Sequence, residues 1–104
     1  MKPVLVLTTV GSSFDAKALA RELVELHLAA CVNVIDRMQS IYRWQGKVEE
    51  ESEQLLLIKT MDARVPELKT ALLQRHPYEL PEFVVVPVSE TSAEYGEWLL
   101  ASSR

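Results

Sequence analysis

Apolar and polar positions change period several times along this chain, and each change marks a predicted element. Val4 to Val10 is almost wholly apolar or β-branched and stops at Gly11, which predicts a short strand buried on both faces in the middle of a sheet. Ser12, with Asp15 three residues on, has the form of a capping box, and Leu19, Leu23 and Leu26 then recur at helical spacing opposite Arg21, Glu22 and Glu25. An amphipathic helix running to about Leu28 is expected. Alternation returns from Cys31 to Ile35, breaks at Asp36-Arg37 and resumes through Ile41 to Trp44, which reads as one long strand with a bulge or bend near Arg37. Gln45-Gly46 supply a hairpin turn, because glycine takes the positive φ such a turn needs. The returning strand, Val48 to Thr60, begins with Glu49, Glu50, Glu51 and Glu53 and finishes with Leu55 to Ile58. It therefore passes from solvated to buried, and a hairpin of that length projects beyond its sheet. Its aromatic outer part requires a cover.

Pro66 suits a first helical turn, Leu68 and Leu72 supply an apolar stripe, and His76-Pro77 ends the helix because proline disfavours helical geometry in the residue before it. Phe83 to Val88 follows as a β-branched strand with Pro87 near its end, which places it at an edge or a boundary. Thr91 with Glu94 is a second capping signature, and Tyr95, Trp98 and Leu99 share one face of a short terminal helix. The order βαββαβ plus one helix predicts an α+β, ferredoxin-like sandwich with an extended central hairpin and both crossover helices on one sheet face. The other face and the hairpin edges are left to association with further chains.

The length of 104 residues allows one domain, residues 1–104, and no second. Surface scaling predicts roughly 5,900 Å² folded against roughly 17,000 Å² extended, enough for a modest core. Fifteen acidic residues against eleven basic ones give a net charge of −4, which opposes nucleic acid and anionic membranes as partners. The RNP pattern of RNA-binding sheets is also missing. No apolar stretch nears the roughly 20 residues of a membrane span, and no signal-cleavage pattern follows Met1, so the expected location is cytoplasmic. One cysteine, Cys31, excludes an internal disulfide and a CxxC site while leaving open a site built from several chains.

Candidate chemistry is sparse, and each feature has a plainer structural reading beside it. Cys31 on a strand reads first as a small core hydrophobe. His76, Tyr78, Glu79 and Glu82 gather around Pro77; His76 could satisfy helix-end carbonyls and Tyr78 pack the corner, or the group could hold a ligand. The glutamates of the hairpin read as a solvated face, since alternation sends neighbours to opposite sides. Tyr42, Trp44, Tyr95 and Trp98 serve either the core of one chain or the anchoring of a neighbour. Lys59 marks either a return to solvent or a contact for an anion. Gly11-Ser12-Ser13 could bind an anion at a helix start, although capping accounts for it. GxSxG, P-loop, GxGxxG and HExxH patterns do not occur, no serine has a partner histidine, and the glycine-rich loop of acylphosphatases is missing, so no enzyme is expected.

Successive segments nevertheless resemble one known family. Leu28-Ala29-Ala30-Cys31-Val32-Asn33, Ser40 to Lys47 (SIYRWQGK), Lys59-Thr60, His76 to Glu82 (HPYELPE), Pro87-Val88 and Tyr95 to Leu99 are similar, in order, to the signatures of the CutA divalent-cation tolerance proteins. The resemblance spans most of the chain. It implies a trimer assembled like the PII signalling proteins, with long hairpins wrapping neighbouring subunits, and a link to copper and other divalent metals. Cys31 matches the cysteine of the family's Ala-Ala-Cys motif and is thereby the first candidate metal contact, with His76 and Glu82 as contributors. Asn33, Trp44, Lys59, Tyr78, Tyr95 and Trp98 match positions that cluster around the cleft between subunits. Thr9 and Leu73 stand in neighbourhoods where other members carry sulfur, which argues against a tight thiolate copper site, since soft Cu(I) prefers two or more sulfur ligands. The expected function is a non-enzymatic homotrimer that binds divalent metal, copper first, and needs no organic cofactor. The alternative is a PII-like trimer sensing a small anionic metabolite through Lys59 and the aromatic residues.

Overall fold

The computed structural model describes all 104 residues. Strand β1 (Pro3–Gly11) leads to helix α1 (Ala16–Glu25), the long strands β2 (Cys31–Trp44) and β3 (Lys47–Met61), a 3-10 turn (Asp62–Arg64), helix α2 (Val65–Arg75), strand β4 (Val84–Pro87) and helix α3 (Ala93–Ser102). The sheet order is β2-β3-β1-β4, with every neighbouring pair antiparallel. Each helical crossover therefore skips one strand, the ferredoxin-like arrangement expected from the element order.

Burial follows strand periodicity. Val4, Val6, Thr8 and Val10 of β1 are buried, and their partners Thr60, Ile58, Leu56 and Gln54 on β3 are buried with them. Leu19 and Leu23 of α1 and Leu68 and Leu72 of α2 complete the core on that face. The opposite face of β1 is only partly covered, contrary to a strand buried on both sides. Leu5, Leu7 and Thr9 lie there beside Lys59, Leu57 and Leu55. Their cover within the chain is α3, whose Leu99 packs on Ala30 and Met61 at one end.

Local chemistry sets the element ends, in places a few residues from expectation. Helix α1 is capped by Asp15, whose Oδ1 accepts from the Ala18 amide at 3.1 Å, and not by Ser12. Residues 11–14 close a turn first, with the Phe14 amide donating to Gly11 O, and Gln54 Nε2 pins that turn through Gly11 O and Phe14 O, both at 2.9 Å. At its far end α1 stops at Glu25, His27 turns the chain with φ 59°, and Leu26 is exposed outside the apolar stripe. Ser92, one residue after the expected Thr91, caps α3. Thr91 instead fills the notch at Gly96, where a Cβ would lie 2.6 Å from its Oγ1.

The hairpin agrees closely with the pattern. A bulge between Ile35 and Met38 places Arg37 at φ 60°, and Gln45-Gly46 close the tip with φ 50° and 80°. Beyond the bulge the arm runs free of the helices, and the molecule measures 44 × 25 × 23 Å. Its surface of 6696 Å² is about 800 Å² more than scaling predicts for this mass. Ile41 is 68% and Val48 65% exposed, and Tyr42, Trp44, Tyr95 and Trp98 all lie exposed too. The aromatic residues thus do not serve as the core of this chain.

Candidate functional site

Two groups of chemically capable side chains lie apart on the sheet. The first surrounds a cleft of about 920 Å³ between the hairpin arm and the turn that follows α2. Proline ends α2 at Arg75 and leaves His76 extended, so its ring reaches β1 instead of the helix-end carbonyls. Arg75 Nη1 donates to Ala71 O in the last turn, the task considered for His76. His76 Nδ1 accepts from the Tyr78 amide at 3.1 Å, which leaves the proton on Nε2 to be donated to Thr9 O at 2.9 Å; Thr8 Oγ1 lies 3.2 Å away. Burial holds the imidazole below its ordinary value against the opposing pull of the Thr9 carbonyl and the Glu53 charge.

Tyr78 stacks edge-on to His76, ring centroids 5.0 Å apart, and donates its hydroxyl to Glu53 Oε2 at 2.6 Å. Desolvation and that carboxylate push the phenol far above its usual range. Burial, then the charge of Glu53, raises Glu82 on the same cleft. Glu53 is the site residue that reading the sequence missed. It is 7% exposed, although it continues an acidic run that reads as solvated. The available signal was phase: Glu49, Glu51 and Glu53 alternate onto one face, and Glu53 directly precedes the buried half of β3.

The second group lies on the uncovered sheet face. Cys31 pairs directly with Lys59, and its partly exposed thiol donates weakly to Asn33 Oδ1 at 3.9 Å. Asn33 pairs with Leu57 two positions along. Tyr95 and Trp98 lie elsewhere, on α3, with ring centroids 5.4 Å apart. The chain thus brings Cys31, Asn33 and Lys59 together, and separately Trp44, His76, Tyr78 and Glu82 around the cleft. No three His, Cys, Asp or Glu side chains converge on a point that could hold a metal ion.

Residues 4–102 match the family model described as CutA1 divalent ion tolerance protein. The chain belongs to the CutA family. The divalent-cation tolerance protein CutA of Thermus thermophilus is 48% identical over 95 residues, covering 91% of this chain and 92% of that protein. Among solved structures, the divalent cation tolerance protein (Cut A1) from Thermus thermophilus superposes with a TM-score of 0.93 at 45% identity, covering 98% of this chain and 99% of that one. The PII-like protein CutA from Nostoc sp. PCC 7120, in apo form, gives a TM-score of 0.89 at 37% identity, covering 100% of this chain and 98% of that one. The chain spans about half the length of the human and mouse CutA proteins it matches. The PII-like fold is thereby shared, and no helix of the chain is long and apolar enough to cross a membrane.

The residues that CutA resemblance singles out for metal do not form a closed site in one chain. Cys31 offers the chain's one thiol, beside the cationic Lys59, and both His76 nitrogens are engaged within the chain. Glu82 lines the same cleft as Tyr78.

Proposed function

We propose that this CutA-family chain acts as a non-catalytic, cytoplasmic homotrimer that takes up copper or other divalent cations at sites completed between copies, as part of the response to metal ions. The observation that carries this reading is the incomplete donor set of the uncovered sheet face. A half-exposed Cys31 thiol lies beside Asn33, and no three His, Cys, Asp or Glu side chains of its own chain close a coordination sphere around it. Symmetry supplies what one chain lacks, because a closed ring repeats each donor. The exposed arm, with Ile41 and Val48 uncovered, provides the surface to bring copies together. Glu82 remains a candidate hard donor; His76 could join only by giving up one of its two ring contacts. Calorimetric titration with copper(II) tests this: Cys31→Ser lowers the affinity while sedimentation still reports the same assembly, and an unchanged titration removes Cys31 as a ligand.

A second reading is a PII-like sensor of a small anionic metabolite. It draws on Lys59, half-buried next to Asn33 on the same open face. Thermal-shift screening separates the two, since stabilisation by anionic metabolites but not by metals supports the sensor.

A further inference from the structure

Two structural boundaries coincide at the root of the hairpin arm. Strand β1 ends at Gly11, which pairs with Glu53, so β3 has no β1 partner from Ser52 to the tip. On the other side of β3 the bulge sets Asp36 and Arg37 of β2 against Gln54, between the pairs Ile35–Leu55 and Met38–Glu53. The Arg37 amide, at φ 60°, donates to Asp36 Oδ1 at 2.7 Å, so the slack in β2 is satisfied locally. A few residues that can absorb a change of φ and ψ, placed where strand pairing stops, are the makings of a hinge.

Two consecutive residues of β3 tie that root to the body, one from each face of the sheet. On the helix-covered face Gln54 Nε2 donates to Gly11 O and Phe14 O, both at 2.9 Å. On the opposite face Glu53 Oε2 accepts the Tyr78 hydroxyl at 2.6 Å, and that hydroxyl lies over Gly11, where a Cβ would stand 3.8 Å from it. The two ties differ in what stands behind them. Gln54 grips two backbone carbonyls of a closed turn, whereas Tyr78 belongs to residues 77–82, which form no helix or strand and make no backbone–backbone hydrogen bond. That segment is anchored at its ends, by His76 on Thr9 O and by Phe83 against the core. We propose that residues 77–82 are a strap across the root of the arm, fastened by the bond from Tyr78 to Glu53, and that unfastening it lets the arm pivot at the bulge about Gln54. The strap thereby couples the end of α2 to the direction in which the arm presents Tyr42 and Trp44. Neither a metal nor any other ligand is needed for this coupling.

Pulsed electron paramagnetic resonance on the intact protein reads the direction of the arm. Spin labels go on Lys47→Cys at the tip and Arg21→Cys on exposed α1, in a Cys31→Ser background. Labelled chains are refolded with an excess of unlabelled ones, so that only distances within one chain are read. One narrow distance distribution is expected while the strap is fastened. Tyr78→Phe should broaden it about twofold or more, Glu53→Ala equally, and the double variant no further than either, because all three remove one contact. Gln39→Ala, which removes the bond to Ser52 farther out on the arm, leaves the width within about a fifth of its starting value. A distribution that stays narrow without the Tyr78 hydroxyl overturns the proposal, and so does one already as broad in the labelled parent. Equal broadening by Gln39→Ala also overturns it, since the arm would then be loosening along its length and not turning at its root.

Discussion

Replacing Tyr78 by phenylalanine removes one oxygen and leaves the ring, so it isolates the bond to Glu53. That bond is 2.6 Å long and its acceptor is 7% exposed, which puts it among charge-assisted bonds in a protected setting. Such bonds contribute about 1.5–3 kcal/mol. Tyr78 itself is only half-buried, so the lower end, about 1.5 kcal/mol, is the expected cost. With a urea slope of about 1.5 kcal/mol per molar for a chain of this size, the midpoint falls by about 1 M at matched protein concentration. A double-mutant cycle with Glu53→Gln then recovers about 1 kcal/mol of coupling. The same Tyr78→Phe variant loses the latest-ionising phenol in an ultraviolet titration, because Tyr78 resists deprotonation far beyond an ordinary tyrosine. A midpoint within about 0.3 M of wild type, or additive single variants, would show that the Tyr78–Glu53 contact does not hold the turn to the arm.

Stability should also follow the protonation of His76. Its folded pKa lies below the unfolded value of about 6.5, so the unfolded chain binds the proton first; stability is full above about pH 6.5 and declines as the pH falls through that value. Glu82, raised by burial and by Glu53, works in the other direction, losing stability as the pH rises from about 4.5 through its folded value. Comparing wild type with His76→Asn cancels the Glu82 contribution. Between pH 7 and 5 the urea midpoint of wild type drops more steeply, and parallel curves would mean that His76 is not held neutral. Charged residues on the uncovered arm should act on assembly and leave the fold alone. Ile41→Asp with Val48→Asp reduces the sedimenting mass while the far-ultraviolet dichroism of the fold persists, and an unchanged mass would show that the arm plays no part in joining copies.

Elements governed by near neighbours were legible in the residues. The bulge at Arg37, the tip at Gln45-Gly46 and the end of α2 before Pro77 each follow from φ/ψ preferences or an interrupted alternation within a few positions. Positions decided by distant partners were not. The cap of α1 moved from Ser12 to Asp15 because Gln54, some 40 positions away, pins the preceding turn. Glu53 reads as solvated until the chain brings Tyr78 to it across 25 positions. The half-covered second face of β1 is a different case, since a largely apolar and β-branched strand says that both faces need covering and not which molecule covers them. The candidate site divides in the same way: Cys31, Asn33 and Lys59 follow from strand register, whereas the bond from Tyr78 to Glu53 and the contacts of His76 with β1 come from tertiary packing.

Native mass spectrometry at low micromolar concentration, with and without copper(II), tests most directly whether copies of this chain complete one another. Three chains in one particle, gaining bound copper that Cys31→Ser reduces, is the expected spectrum. A folded single chain that takes up no metal would contradict it.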